Sequence, residues 1–535
     1  MPKKLLLNNK KVANDNLITE YVVDTGYEYT PFLYEADDTL SNGYKTNTLT
    51  PEEVTQKDNG DGTTTIKIKD SRKIGKINFG LLGQLPNASH LRRINLIKSN
   101  DLVDISSICY GCTNLTYINS KNLVTSKVKD MNNAFCKCLV LSTIDTTDWD
   151  VSNVTNMPGV FANCNALTSI DVTNWNVSSC TTTNNMFQNC KKLTSIGNLS
   201  NWDVSKVISM SSMFRDCSSL TSIGVDNWNV SSNTNFDYTF GGCEALTELN
   251  VSNWRFNTTK NVTMEYMFQN CKLIPTLDVS QWNVEKVTSL FNTFNNCSSL
   301  TSLNVTNWNT NSLTNMIAVF SYCTKLTEIV GIGGLNISKI TNMAQIFQGC
   351  TSLLELRLNN WNVEKVKNMA YMFSNCKALT SLEVDQWNTV ALTNMNNTFN
   401  NCNALPSLSF TNWKTNLVAN MAGAFSDCKA LTTLDLSNFN TSVCTAMNNM
   451  FYNCLSLTTL NFSNANTSIV TTMAEMFWND IRLTNIDIRN FDSTSLTDTI
   501  TMFNGVPKSS TITIDPAKFT KTEAECNFSG TFTTI

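Results

Sequence analysis

The chain has 535 residues, a formal net charge of −4 and a sequence pI of about 5.3, and only 15% of its residues are charged. This composition provides no basic field for a nucleic-acid partner. The whole sequence contains one histidine, His90, which argues against histidine-based acid–base catalysis and against histidine-ligated metal sites. We interpret His90 as a structural residue.

Residues 1–80 contain no repeat, and we predict that they form a small β-rich anchoring segment. Within them, residues 57–70 have a turn-rich start and then alternate apolar and polar side chains, the pattern of a hairpin arm. The apolar run Leu5 to Leu7 is shorter than the roughly 7–15 apolar residues of a secretory signal. No stretch of the chain approaches the roughly 20 apolar residues that span a bilayer. We therefore expect no signal peptide and no membrane insertion.

Residues 81–504 repeat one short phrase with a period of about 26 residues. A fixed period of roughly 20–50 residues is the signature of a solenoid or a similar array. The period is clearest in a column of phenylalanines: Phe135, Phe161, Phe187, Phe214, Phe240, Phe268, Phe294, Phe320, Phe347, Phe373, Phe399, Phe425, Phe451, Phe477 and Phe503. We predict about 16 rungs, followed by a C-terminal cap over residues 505–535.

Each rung is predicted to contain one short helix and one short parallel strand. In the rung at 287–312, the first half places apolar residues at i, i+3, i+7 and i+10, the spacing of one helical face. The second half has the L-x-x-L-x-L spacing of a leucine-rich repeat and ends on Trp308. Because one rung cannot bury its apolar face alone, the rungs are expected to stack into an α/β solenoid.

Most of the 19 cysteines stand in one column, three residues before the first buried leucine of each predicted strand. The column comprises Cys112, Cys138, Cys164, Cys190, Cys217, Cys243, Cys271, Cys297, Cys323, Cys350, Cys376, Cys402, Cys428 and Cys454. We interpret it as a reduced, buried ladder, since free cysteine packs as a small apolar residue. Disulfides are the weaker alternative because parallel side chains lack the required dihedral. The pair Cys136 and Cys138 has no second pair for zinc, so no metal or cofactor is expected.

Ten tryptophans also recur at one position, at the end of the predicted strand segment. They are Trp149, Trp175, Trp202, Trp228, Trp254, Trp282, Trp308, Trp361, Trp387 and Trp413. An aromatic column at the corner of stacked rungs is interpreted as part of the core, and a sugar-stacking platform is the alternative.

The candidate binding face is the outer side of the predicted strands. The residue that follows the second buried strand residue is acidic in several rungs. One rung departs from this pattern, because it has Arg357 at that position and Glu355 two residues earlier. The candidates are Asp145, Asp171, Asp278, Glu355, Arg357, Glu383, Asp435 and Asp487. A row of carboxylates suits cations or polyhydroxylated sugars, and a merely solvated strand face is the alternative. A two-carboxylate glycosidase needs a cleft, which rows of acids do not indicate, so no catalytic residues are expected.

The phrase M-x-x-M-F-x-N-C-x-x-L-T-S-L-D-V-S-N-W-N-V-S-x-V-T-N-M resembles a bacterial surface-protein repeat of about 26 residues. This repeat belongs with the BspA-like leucine-rich repeats, which are abundant in surface proteins of mycoplasma-type and mucosal bacteria. The resemblance covers about residues 100–505. It implies a right-handed solenoid of the leucine-rich-repeat type, a role in adhesion or protein binding, and no enzyme activity.

The sequence therefore predicts a non-enzymatic binding or adhesion rod. The preferred setting is a phage virion, assembled in the host cytoplasm, in which the chain is a fibre, decoration or receptor-binding protein for a host-surface protein or glycan. Residues 1–80 would contact other virion subunits, and a homo-oligomer is an open possibility. The alternatives are a purely structural virion component without a ligand, an adhesin on a bacterial cell surface and a cytoplasmic protein-interaction scaffold.

Overall fold

The computed structural model describes residues 17–36, 44–47, 49–69, 74–79, 88–96, 101–121, 123–462 and 464–535. The run Leu5 to Leu7, on which the prediction of no signal peptide rests, lies outside these ranges. The chain divides into two compact units, Met1–Asn257 and Thr258–Ile535.

The first unit begins with an antiparallel β module and continues into parallel rungs. Its strands are β1 (Leu17–Asp24), β2 (Phe32–Ala36), β3 (Tyr44–Asn47), β4 (Val54–Asp58), β5 (Thr63–Lys69), β6 (Ile74–Asn78), β7 (Leu91–Leu96) and β8 (Tyr117–Asn119). They form two sheets with the orders β4-β5-β1-β7-β8 and β3-β2-β6. The hairpin predicted near residues 57–70 is present as β4 and β5.

The second unit consists of rungs and a C-terminal segment. Its strands are β9 (Val262–Thr263), β10 (Val287–Ser289), β11 (Ser302–Asn304), β12 (Glu328–Val330), β13 (Glu355–Arg357), β14 (Ser381–Glu383), β15 (Thr433–Asp435), β16 (Thr459–Asn461), β17 (Asn485–Asp487), β18 (Thr511–Ile514) and β19 (Thr533–Thr534). Their pairings are parallel. Strands β17, β18 and β19 form one sheet, which extends the strand stack into residues 505–535.

Within each unit, the rungs build two parallel ladders. The strand-face ladder pairs Ser302–Asn304 with Glu328–Val330 in register, and single bridges such as Thr143 to Ser169 continue it elsewhere. The second ladder lies five residues before the column phenylalanine, as in the bridge from Asn368 to Asn394. The prediction of a solenoid with turns of about 26 residues is confirmed, and the turns that pair on the strand face do so in parallel.

The antiparallel module supplies the first partner for both ladders of the first unit. Strand β7 pairs in parallel with β8, with Arg93 opposite Tyr117. At the second ladder, Lys76 of β6 bridges in parallel to Asp104. The Lys76 ammonium also donates to the Asp104 carboxylate over 2.8 Å in a nearly buried ion pair. A module placed in this way covers the first rung and leaves no open strand edge there.

The prediction of one helix per rung is wrong. No α-helix occurs among the described residues, which contain only single 3₁₀ turns at Pro51–Glu53, Ala88–His90 and Ile332–Gly334. The segment predicted to be a helix is instead a chain of tight turns. It runs from four residues before the column phenylalanine to three residues after it, and we call it the turn wall. In 290–297, alternate backbone N–H groups donate to carbonyls of the next rung over 2.7–3.1 Å. Three of the others donate to the carbonyl three residues back, and the Phe291 N–H donates to the Ser289 hydroxyl over 3.4 Å. An α-helix keeps all of these bonds within itself.

Left-handed residues explain why the turn wall is not helical. In 290–297, Asn292 and Asn296 have φ values of +54° and +58°. The position of Asn296, two residues after the column phenylalanine, has positive φ in fifteen rungs and holds eight asparagines, two aspartates and three glycines. These residue types adopt the left-handed region at the lowest cost. Apolar spacing of i, i+3, i+7 and i+10 therefore suits a repeating turn as well as a helix.

The core consists of columns that stack from rung to rung. In the second unit, the ring centroids of Phe294 and Phe320 lie 5.8 Å apart, and those of Trp282 and Trp308 lie 6.1 Å apart. The ten column tryptophans are at most 4% exposed. The indole Nε1 of Trp387 donates over 2.8 Å to a backbone carbonyl of the preceding rung, and most other column tryptophans do the same. The buried column therefore provides no sugar-stacking surface.

Candidate functional site

The cysteine column lies in the core of each unit. All nineteen cysteines are free and buried. The Cys297 thiol donates to the Phe268 carbonyl over 3.1 Å, and Cys376 makes the same contact with Phe347 over 3.2 Å. Burial raises the pKa of the Cys323 thiol to about 12, so this thiol stays protonated and unreactive at neutral pH. The sequence pattern indicated the packing role and missed the hydrogen bond, which a buried hydrophobe cannot make.

Asp480 takes the place of cysteine in this column. Its side chain is fully buried. Asp480 Oδ1 accepts the Cys454 backbone N–H over 2.8 Å, whereas Oδ2 has no hydrogen-bond partner. Burial raises the pKa of this carboxyl well above its ordinary value, so the folded state favours the neutral acid.

His90 belongs to a polar cluster of the antiparallel module. Its Nδ1 lies 3.0 Å from the Asp24 carboxylate, and its ring stacks on Tyr27 with centroids 3.5 Å apart. Arg92 donates to the same carboxylate over 2.8 Å, and this hydrogen bond is the main reason why the pKa of Asp24 is lowered. The carboxylate thus ties β1 to the start of β7, a structural task.

Within the described ranges, no group of three or more histidine, cysteine, aspartate or glutamate side chains is placed to hold a metal ion. No helix in the described part of the chain has the length and apolarity needed to cross a bilayer.

The strand face of the first unit contains a depression. Three successive rungs line an open depression of about 400 Å³, which includes Thr143, Asp145, Ser169, Asp171, Ser195 and Gly197. Bridges from Thr143 to Ser169 and on to Ser195 hold these rungs together. The depression offers carboxylates and hydroxyls within one small area, so it brings together two of the predicted face residues, Asp145 and Asp171.

Gly197 keeps this depression open. It occupies the same position in its rung as Asp171 does in the preceding rung, and its φ is +82°. A Cβ atom at Gly197 would lie 2.6 Å from Asp171 Oδ1 and 2.4 Å from the Thr173 hydroxyl oxygen. A side chain here would therefore collide with Asp171, which lines the depression, and with the neighbouring Thr173.

The aspartates of the strand face also hold the local turns. Asp171 Oδ1 accepts the Thr173 backbone N–H over 3.0 Å, and this bond is the main cause of the lowered pKa of Asp171. The Thr147 hydroxyl likewise lowers the pKa of Asp145. In another rung Asn304 accepts the equivalent N–H of Thr306 over 3.1 Å. Aspartate and asparagine interchange in this column because either side chain makes this turn.

The other predicted face residues are distributed along the second unit and do not converge on one site. Asp278 and Asp435 accept the backbone N–H two residues later over 3.0 and 2.9 Å, and Asp487 pairs with Arg489 over 2.7 Å. Glu355 and Arg357 form an exposed ion pair of 3.4 Å, a geometry of little energetic value. Arg357 lies opposite Glu383 in the parallel register of β13 and β14. The pattern D/N-x-S/T, present at this position in seven of the fifteen rungs that have a column phenylalanine, is the sequence signal for these turns.

One family model matches most of the chain. It is described as Mycoplasma protein of unknown function, DUF285, and it matches residues 103–199, 194–303, 288–407, 326–432, 372–477 and 394–515. The chain belongs to the DUF285 family. The mycoplasma-type repeat that the sequence predicts is thereby confirmed, and the narrower BspA-like assignment stays a prediction. The description of the family gives its function as unknown and names no enzyme class.

Two other comparisons add little about function. Among solved structures, the DUF285 chain is similar to a chain of the crystal structure of the TLR13-ssRNA13 complex, with 14% identity and a TM-score of 0.23 over 81% of this chain and 71% of that chain. A TM-score of this size carries no argument about fold or ligand. No curated protein matches the sequence.

Proposed function

We propose that this DUF285 protein is a non-enzymatic binding protein that recognises a protein or glycan on a cell surface. The observation that carries the proposal is the depression at Asp145, Asp171 and Gly197. It is an open depression that carboxylates, hydroxyls and two isoleucines line, on an otherwise regular array of rungs. Pockets of this kind, with a few convergent polar groups, are the usual places of ligand binding.

We further propose that the protein is associated with a phage virion as a fibre, decoration or receptor-binding component, and that its repeats are of the BspA-like type. The support is the contrast between the regular rungs and the non-repeating residues 1–80, which would contact other virion subunits. A bacterial surface adhesin with the same depression is the nearest alternative setting.

The test uses the fluorescently labelled full-length protein and flow cytometry on bacterial and mucosal epithelial cells. Ser195→Arg fills the depression from an exposed position, and Ser302→Arg makes the same change on the strand face of the second unit. We expect saturable binding that Ser195→Arg weakens about 10-fold or more, a loss of about 1.4 kcal/mol, and that Ser302→Arg leaves unchanged. Equal binding by all three proteins would refute the role of the depression.

A second candidate function is that of an assembly component, and an uncharged stripe favours it. The position eight residues before the column phenylalanine holds Lys339 and Lys365 in two rungs of the second unit, but Leu417, Val443 and Ile469 in three consecutive later ones. These three side chains are 52%, 38% and 42% exposed. A second copy of the chain, related by a two-fold axis, can cover such a stripe without burying a charge.

Sedimentation velocity tests this second function. The proposal predicts reversible dimers of the wild type at micromolar concentration. Leu417→Lys with Val443→Lys, which restores the residue of earlier rungs, should give monomers, while Ser312→Lys at the same position in another rung should still dimerise. A wild type that remains monomeric over the whole concentration range would refute self-association.

A further inference from the structure

Trp478 departs from the pattern of the other tryptophans. Ten of the eleven tryptophans lie in the buried column, and Trp478 is the exception. It stands on the turn wall, one residue after Phe477, and is partly exposed. Its ring stacks on Tyr452 of the preceding rung, with centroids 4.6 Å apart and planes 7° apart. A partly exposed aromatic pair outside the core is a feature that packing does not require.

The neighbouring rungs leave the outer faces of this pair without a ring. The equivalent positions before Tyr452 and after Trp478 hold Ser426 and Asn504. Elsewhere on the turn wall, in the first unit, aromatic rings are covered by the chain's own cations, as Arg215 covers Tyr238 at 4.1 Å from the ring centroid. The described residues of the second unit place no such cation over Tyr452 or Trp478.

The polar groups of Trp478 and Tyr452 are also available for hydrogen bonding. Column tryptophans donate through Nε1, as Trp413 does to the Val384 carbonyl over 2.8 Å. Among the described residues, neither the Trp478 indole N–H nor the Tyr452 hydroxyl has a hydrogen-bond partner. The pair therefore presents an apolar surface together with two donors.

Two carboxylates lie beside the pair. Asp427 Oδ1 accepts from Asn453 over 2.6 Å and lies 3.6 Å from the Lys429 ammonium. Glu475 Oε2 accepts from Asn449 over 2.6 Å. One oxygen of each carboxylate is left with no bond shorter than 3.4 Å.

These carboxylates are within electrostatic reach of the pair. Burial, together with the negative charges of Asp427 and Glu475, raises the pKa of the Tyr452 phenol. A ligand seated on the rings therefore has acceptors beside it as well as donors, and an anionic ligand would be repelled.

We propose that Trp478 and Tyr452, with Asp427 and Glu475, form a binding site for a neutral sugar, a hexose or an N-acetylhexosamine. This inference rests on the proposed function and specifies a glycan ligand. A sugar ring has an apolar C–H face, which packs on aromatic rings, and a rim of hydroxyl groups that need donors and acceptors. The pair supplies the apolar surface, its N–H and O–H groups donate, and the carboxylates accept.

Titration of the full-length protein with oligosaccharides, followed by saturation-transfer NMR, tests the site. The probes are cellohexaose, chitohexaose and a lactose-based oligosaccharide as neutral ligands, with sialyllactose as the acidic one. The wild type is expected to bind at least one neutral probe and to show no transfer to sialyllactose. Trp478→Ala and Tyr452→Ala should each weaken binding about 10-fold or more.

Two further variants keep the test decisive. Tyr322→Ala removes another exposed aromatic residue of the turn wall and should bind like the wild type. Trp478→Phe keeps the stacking but loses the N–H donor, so its affinity should lie between those of the wild type and Trp478→Ala. Failure of the wild type to bind any neutral probe, or unchanged binding by Trp478→Ala, would overturn the inference.

Cell binding separates this inference from the proposed function. If Trp478→Ala loses the neutral oligosaccharides but binds cells as well as the wild type does, the sugar site stands, its part in cell binding is refuted, and a surface-binding protein remains. If the wild type binds no cells, the proposed function is refuted, and the oligosaccharide titration alone decides the sugar site.

Discussion

Replacing Trp387 by phenylalanine is expected to destabilise the second unit by about 2–3 kcal/mol. Trp387 is fully buried and stacks between Trp361 and Trp413, with ring centroids 6.4 and 5.8 Å away. Its Nε1 donates to the Leu358 carbonyl over 2.8 Å. Phenylalanine keeps one aromatic ring in the column but removes part of its volume and the N–H donor.

The magnitude follows from two losses. The Leu358 carbonyl keeps a second hydrogen bond, from the Trp361 backbone N–H over 2.9 Å, so it is not left unpaired. Loss of the indole bond should then cost about 1 kcal/mol. The smaller ring leaves a partly filled cavity, which adds about 1–2 kcal/mol.

Another rung of the chain suggests a second substitution that should restore part of the stability lost in Trp387→Phe. In the rung where Phe439 replaces tryptophan, the Phe410 carbonyl accepts a hydrogen bond from the Asn438 side chain over 2.7 Å. Gln386→Asn places the same amide beside Trp387→Phe, and the double variant should recover about 1 kcal/mol. Gln386→Asn alone serves as the control and should change stability little.

Urea unfolding, with hydrogen exchange to locate the weakened rungs, measures these differences. Exchange is needed because stacked repeats can open locally. A cost below about 0.5 kcal/mol for Trp387→Phe, or no advantage of the double variant over the single one, would refute the role assigned to the indole N–H.

Three further predictions concern stability. Asp480→Cys restores the cysteine column and should stabilise the protein at pH 7. Because the pKa of Asp480 is raised in the folded state, its contribution to stability is fully present below the unfolded pKa, near pH 4. As the pH rises above that value, the contribution is lost by up to about 1.4 kcal/mol per pH unit. The advantage of Asp480→Cys in thermal melts should therefore shrink toward pH 4. Asn401, with a φ of +60°, should tolerate glycine better than alanine by about 1 kcal/mol in urea titrations, and equal costs would contradict the turn-wall account. Asp278→Asn should be neutral, whereas Asp278→Ala should cost about 0.5–1 kcal/mol because the Ser280 N–H loses its acceptor; urea midpoints distinguish these outcomes.

The period and the parallel strands were predictable from the sequence. Stacked rungs must repeat the same buried side chains, so Phe294, Cys297 and Trp308 each recur at a fixed step. Their inward positions follow from that recurrence without any knowledge of the backbone between them.

The turn wall was not predicted because apolar spacing reports which side chains face inward and not the path of the backbone between them. The overlooked signal was asparagine at positions such as Asn292 and Asn296, since asparagine is a poor helix former and adopts left-handed conformations readily. The depression was also missed. Asp145 and Asp171 were identified as face residues, but the opening beside them depends on Gly197, which only the structure places there.

The location of the protein tests the central claim most directly. Immunogold labelling, with antibody against the repeats, is applied to intact producer cells, to sectioned cells and to filtered cell-free particles. The account predicts label on the outside of particles or of intact cells, where a protein that binds cell surfaces meets its ligand. Label confined to the cytosol of sectioned cells would contradict it and would leave the cytoplasmic scaffold.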